Sequence, residues 1–220
     1  MNLNNVLNSV LRGGLGSVLG DAGTRGGGLG GGLGGLAGSA AAAAALNMLL
    51  RGRGSKLLRL GGMAALGMMA YKAWQEYQAK QGGAGVAPMQ PPAAQEAPAQ
   101  AEAHSRALLV AMIAAAKADG HLDDAERRQI EGALKQGDPE VAAWFDQELK
   151  KALDPAEVAR AAGGDSALAS EFYLASLLLT QADDGHIGFM ERSYLDELAR
   201  QLKLPDGLKA TLENQAKQAG

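Results

Sequence analysis

The nonapeptide Asp119-Gly120-His121-Leu122-Asp123-Asp124-Ala125-Glu126-Arg127 returns sixty-five residues later as Asp184-Gly185-His186-Ile187-Gly188-Phe189-Met190-Glu191-Arg192, with five identities and one Leu/Ile exchange. Each copy follows an apolar segment at helical spacing and precedes another, so the chain must accommodate two related helix-loop-helix units. No segment alternates polar and apolar residues as a strand would. The expected fold is all-α: a C-terminal bundle of about seven helices built from two duplicated helix-loop-helix units, preceded by Gly/Ala-rich apolar helices.

Punctuation places those seven helices within residues 104–220. The first covers about 104–118, with Leu109, Met112, Ile113 and Ala116 on one face. Asp123 with Glu126 three residues on forms a capping box for the second. Asp138-Pro139 and Asp154-Pro155 each set a capping Asp before a Pro at the first helical position. Asp165 opens an apolar helix containing Phe172, Tyr173, Leu174, Leu177, Leu178 and Leu179, the expected central buried element. The sixth helix carries Met190, Tyr194, Leu195, Leu198 and Leu202, and Pro205-Asp206-Gly207 breaks the chain before the last.

The N-terminal part is a different material. Residues 1–103 carry eight Lys/Arg and four Asp/Glu, whereas residues 104–220 carry thirteen and twenty, which together give the net charge of −3. The acidic half lacks the basic stripe that phosphate binding needs, which argues against nucleic acid as a partner. Without cysteine there is no disulfide, thiolate zinc site or cysteine nucleophile. No basic region and cleavage pattern of a secretory signal opens the sequence.

Four parts follow. Residues 1–25 hold a short amphipathic helix (Leu3, Val6, Leu7, Val10, Leu11) and a Gly-rich start. Residues 26–80 form a Gly/Ala-rich apolar region with two membrane candidates. One is the uncharged span Gly26–Leu50, long enough to cross a bilayer and rich in small residues that let helices pair. The other, Leu60–Tyr71, reads as the better candidate, with Arg59 and Lys72 at its ends and Tyr71, Trp74 and Tyr77 as an aromatic belt. Membrane lipid contact is thus expected through 26–77, with homo-oligomerisation through the Gly-rich segment. Residues 81–103, rich in Pro, Ala and Gln, read as a flexible tether, and residues 104–220 as the helical domain. The Arg51/Arg53/Lys56/Arg59 cluster belongs on the cytoplasmic side. If Leu60–Tyr71 alone spans, or both segments form a hairpin, the C-terminal domain faces the periplasm, whereas if Gly26–Leu50 alone spans it stays inside. The charges lean weakly outward.

The repeated loop resembles half of an EF-hand. With Gly120 or Gly185 at the sharp-turn position, Asp119 and Asp184 fall at position 5, Leu122 and Ile187 at 8, Glu126 and Glu191 at 12. Positions 1 and 3 are Ala115 and Lys117 in one copy, Thr180 and Ala182 in the other, which excludes a standard EF-hand. Asp119, Glu126, Asp184 and Glu191, with Asp123, Asp124 and Asp183 as auxiliary oxygens, suit hard Ca²⁺ or Mg²⁺. The same acids suit helix capping, with Gly for the turn and Leu/Ile as anchor. His121 and His186 lack further ligands at zinc spacing and read as surface residues. No nucleophile signature or phosphate-cradling loop accompanies the carboxylates, so no enzyme is expected.

On Ala118–Glu126 and the Asp184-Gly185…Glu191 copy, residues 104–220 resemble the TerB-like helical domain first named for tellurite-resistance proteins. The N-terminal Asn-rich helix, the Gly/Ala region, Leu60–Tyr71 and the run Tyr194-Leu195-Asp196-Glu197-Leu198-Ala199 extend the resemblance to YebE-like bacterial inner-membrane proteins, a family of unknown function. The resemblance implies a helical domain whose loop acids, here Asp119, Glu126, Asp184 and Glu191, chelate a divalent metal. It implies no reaction. The expected function is a membrane-tethered interaction module for a protein partner in the bacterial envelope. A soluble or peripheral metal-binding stress protein is the alternative.

Overall fold

The computed structural model describes residues 63–81, 98–118, 128, 132, 139–181 and 186–218. Among them lie seven helices and no strand: α1 (Met63–Lys80), α2 (Pro98–Ala116), α3 (Pro139–Lys150), α4 (Pro155–Ala161), α5 (Ser166–Thr180), α6 (Phe189–Gln201) and α7 (Asp206–Gln218). The all-α expectation is borne out. Of the helix expected to start at Asp123 only Arg128 and Gly132 are described, both helical, and the Gly/Ala span 26–50 lies outside the described residues.

α5 is the axis. Every residue from Ala169 to Thr180 is buried, and α1, α2, α6 and α7 all pack against it. Only a helix apolar on all sides can take that position. Its start is set by Asp165, whose carboxylate accepts from the amides of Ala167 (2.7 Å) and Leu168 (3.1 Å). Asp154 does the same for α4, accepting from Ala156 N at 2.9 Å with Pro155 behind it. Between the two, Gly163 and Gly164 take left-handed backbone at φ 59° and 80°, which Gly does at no steric cost.

One polar pair interrupts the apolar axis. Glu171 is buried on α5, and its Oε2 lies 3.0 Å from Nε2 of His104 on α2. A buried carboxylate needs such a partner, because desolvating it alone is costly.

The chief correction concerns α1. The Leu60–Tyr71 stretch, expected at the membrane, enters a helix whose inward stripe, Leu66, Ala70, Ala73, Trp74 and Tyr77, belongs to the common core. α1 packs on α5 and α7. Of the aromatic residues that resemble an interfacial belt, Trp74 and Tyr77 are buried against protein, and half-buried Tyr71 stacks on Trp74 with ring centroids 6.2 Å apart. No helix among the described residues is long and apolar enough to cross a membrane. The tether also shortens, since α2 already begins at Pro98. Its remaining residues join two helices of one packed body.

Two details fix α7 against α1. Gly207 lies so close to Tyr77 that a Cβ there would come within 2.7 Å of the ring. Further along, Gln215 Nε2 donates to Glu76 Oε1 at 2.6 Å. The turn into α7 is a Schellman motif: the amides of Lys203 and Leu204 reach Arg200 O (3.1 Å) and Ala199 O (3.0 Å). Lys203 holds the left-handed position, φ 54°, where Gly is usual.

Candidate functional site

The two loops of the repeat are partly within the described residues. In the second, Ile187 packs against the core as the anchor at position 8, and His186 is exposed. Gly188 is the N-cap of α6 in extended backbone. Glu191 occupies the first turn, and its carboxylate folds back over Gly188 where a Cβ would otherwise stand. That places negative charge at the helix end bearing free N–H groups, the position of a capping acid.

The first loop explains its own departure from an EF-hand. Lys117, at position 3, sends its Nζ away to the C-terminus of α3, donating to the carbonyls of Lys151 and, at 3.4 Å, Glu148. These are carbonyls that the helix leaves unpaired, at its negative end. A lysine therefore serves where a chelating acid would leave α3 uncapped. Beside it, Lys151 Nζ bridges Glu148 (2.8 Å) and Glu157 (2.6 Å); the bond to Glu148 first, then that to Glu157, raises its pKa above the usual lysine value. The cleft there, edged by Val110, Ile113, Lys117, Lys151 and Leu153, leaves about 20 Å³, room for little more than one water.

Asp119, Asp123, Asp124, Glu126, Asp183, Asp184 and His121 lie outside the described residues. Glu191 is thus the one member of the proposed ligand set whose placement is described. Among the described residues no group of three or more His, Asp or Glu side chains is arranged to hold an ion.

Sequence reasoning missed the surface at the start of α6. Phe189 is 84% and Met190 56% exposed. Of the apolar residues this helix carries, burial begins only at Tyr194 and continues through Leu195 and Leu198.

A family model described as "Protein of unknown function (DUF533)" matches residues 5–216. The chain belongs to the DUF533 family. It is also similar to an "Uncharacterized protein in ampR 5'region" from Yersinia enterocolitica, 34% identical over 112 residues, covering 48% of this chain and 74% of that protein. No solved structure matches the chain. The DUF533 match spans α1 to α6 entirely and most of α7.

Proposed function

We propose that this DUF533 protein is a non-enzymatic helical module of the bacterial inner membrane that docks a protein partner through the start of α6. The observation that carries this reading is the exposed Phe189–Met190 step. A phenylalanine left 84% accessible beside a methionine, on a helix whose other apolar residues are buried, is the kind of surface that partners cover. The support for a membrane tether is the uncharged span Gly26–Leu50. α1 is occupied in the core, so that span is the anchor in this reading. The TerB-like and YebE-like resemblance agrees with such a module; with Gly26–Leu50 as its span and the Arg51–Arg59 cluster cytoplasmic, the bundle lies on the cytoplasmic side in this reading.

Placing a photo-crosslinking residue at Phe189 in cells tests the docking face. A discrete adduct is expected from position 189 and not from exposed Ala143 on α3, and Phe189→Ser/Met190→Ser should abolish binding of that partner. No adduct, or the same adduct from Ala143, would end the proposal. Recovery of the full-length protein entirely in the soluble fraction would remove the tether.

The loop acids carry a second reading. Ca²⁺ or Mg²⁺ binding by Asp119, Glu126, Asp184 and Glu191 rests on their doubled spacing, whereas the fold of Glu191 over Gly188 favours capping. In an NMR titration, saturable shifts lost in Glu126→Gln/Glu191→Gln would establish the ion site; silence at millimolar metal would leave the acids as caps.

A further inference from the structure

α1 has a second face. While Leu66, Ala70, Ala73, Trp74 and Tyr77 point inward, Met68, Lys72 and Gln75 point to solvent, with half-buried Tyr71 alongside. Met68 is 54% exposed. This outward stripe contains an apolar residue, an aromatic one and a cation, with no acid before Glu76, which is held toward α7 by Gln215.

Chain length places this stripe near the bilayer if Gly26–Leu50 is the anchor. Only the twelve residues 51–62 separate that span from α1, and fully extended they reach about 40 Å at most. Those twelve carry Arg51, Arg53, Lys56 and Arg59, and no Asp or Glu occurs between Asp21 and Glu76. With that anchor, the body is strapped to the membrane by a cationic stretch, through the helix whose outward face continues that charge. A juxtamembrane cationic segment is attracted to anionic headgroups, and Met68 and Tyr71 are of the type that sits at that depth.

We propose that the outward face of α1, Met68, Tyr71 and Lys72, rests on anionic phospholipid headgroups, so that α1 lies on the membrane as a docked core helix instead of spanning it. This deepens the membrane-tether reading and rests on it. It fixes the orientation of the bundle, with α1 toward the bilayer.

The test uses the full chain, which has no cysteine of its own. Met68→Cys and, as control, Ala143→Cys carry an environment-sensitive fluorophore. Each protein is reconstituted in phosphatidylcholine vesicles with and without phosphatidylglycerol, and carbonate retention is scored in parallel. The expected result is retention together with a blue shift at position 68, not at 143, that requires phosphatidylglycerol. Lys72→Glu should weaken it about fivefold or more, and high salt should reverse it. Retention without a shift at 68 overturns this inference and leaves the anchor standing. A phosphatidylglycerol-dependent shift without retention supports the headgroup contact and overturns the anchor. Neither signal overturns both. A shift that follows protein concentration and not lipid would assign the face to a second copy and overturn the proposal.

Discussion

α1, rich in Ala and Met, and α5, rich in Leu and Ala, meet in one core, yet they hold their places differently. α5 carries a single charged residue, Glu171, and buries all sides. α1 carries Lys72, Glu76 and Lys80, buries one stripe and exposes the other. The helix that resembles a membrane segment is the less apolar of the two. Flanking cations and interfacial aromatics describe a helix edge equally well in lipid or against protein. What separates the cases is periodicity: Leu66, Ala70, Ala73 and Tyr77 follow a stripe, as one-sided packing requires.

If both helices are core, truncating either must unfold the protein comparably. Phe172→Ala on α5 and Trp74→Ala on α1 should each cost about 3–5 kcal/mol, measured by denaturant unfolding; a neutral Trp74→Ala would break the equivalence. His104→Ala strands Glu171 on α5 and should cost about 3 kcal/mol, while His104→Gln, which can still donate, should recover part of it.

Alkaline pH probes the α5–α6–α7 side. Burial, then the nearby Glu213, raises the Tyr173 pKa well above the ordinary 10; burial does the same for Tyr194. Both phenols stay neutral when folded but ionise above pH 10 when unfolded. Their contribution is therefore complete below pH 10 and declines above it, by about 1.4 kcal/mol for each by pH 11. Urea midpoints at pH 9 and 11 should show the loss, and Tyr194→Phe should reduce it.

Gly207→Ala tests α1 on its other side. The added methyl meets the Tyr77 ring, and displacing a packed ring should cost about 1–2 kcal/mol. Pairing it with Tyr77→Leu should relieve the clash, a coupling visible in a double-mutant cycle. The smallest effect belongs to Lys203→Gly, which removes left-handed strain at the end of α6 and should stabilise by about 0.5–1 kcal/mol.

Much of the bundle was legible locally. Asp154-Pro155, Asp165 and Pro205 announce helix boundaries because capping is a short-range interaction. The Phe172–Leu179 run, apolar but for Ser176, announces its own burial. The start of α2 was missed because residues 98–103 show no apolar stripe and are held by the helix propensity of their alanines. The stripe of α1 shows that one side is buried, but which surface receives it depends on Gly207 and Gln215, remote in sequence. In the candidate site, the anchor Ile187 was readable, whereas the use of Lys117 depends on where α3 ends.

The central claim is that α1 docks on α7 within one chain. Glu76 and Gln215 touch at 2.6 Å across that interface, and the chain offers no competing thiol. The full-length Glu76→Cys/Gln215→Cys variant, treated with a short bismaleimide in native membranes, should give an intrachain crosslink in high yield, with both single variants unreactive in this way. Failure to form it, or crosslinks only between chains, would contradict the account and return α1 to the bilayer or to a partner.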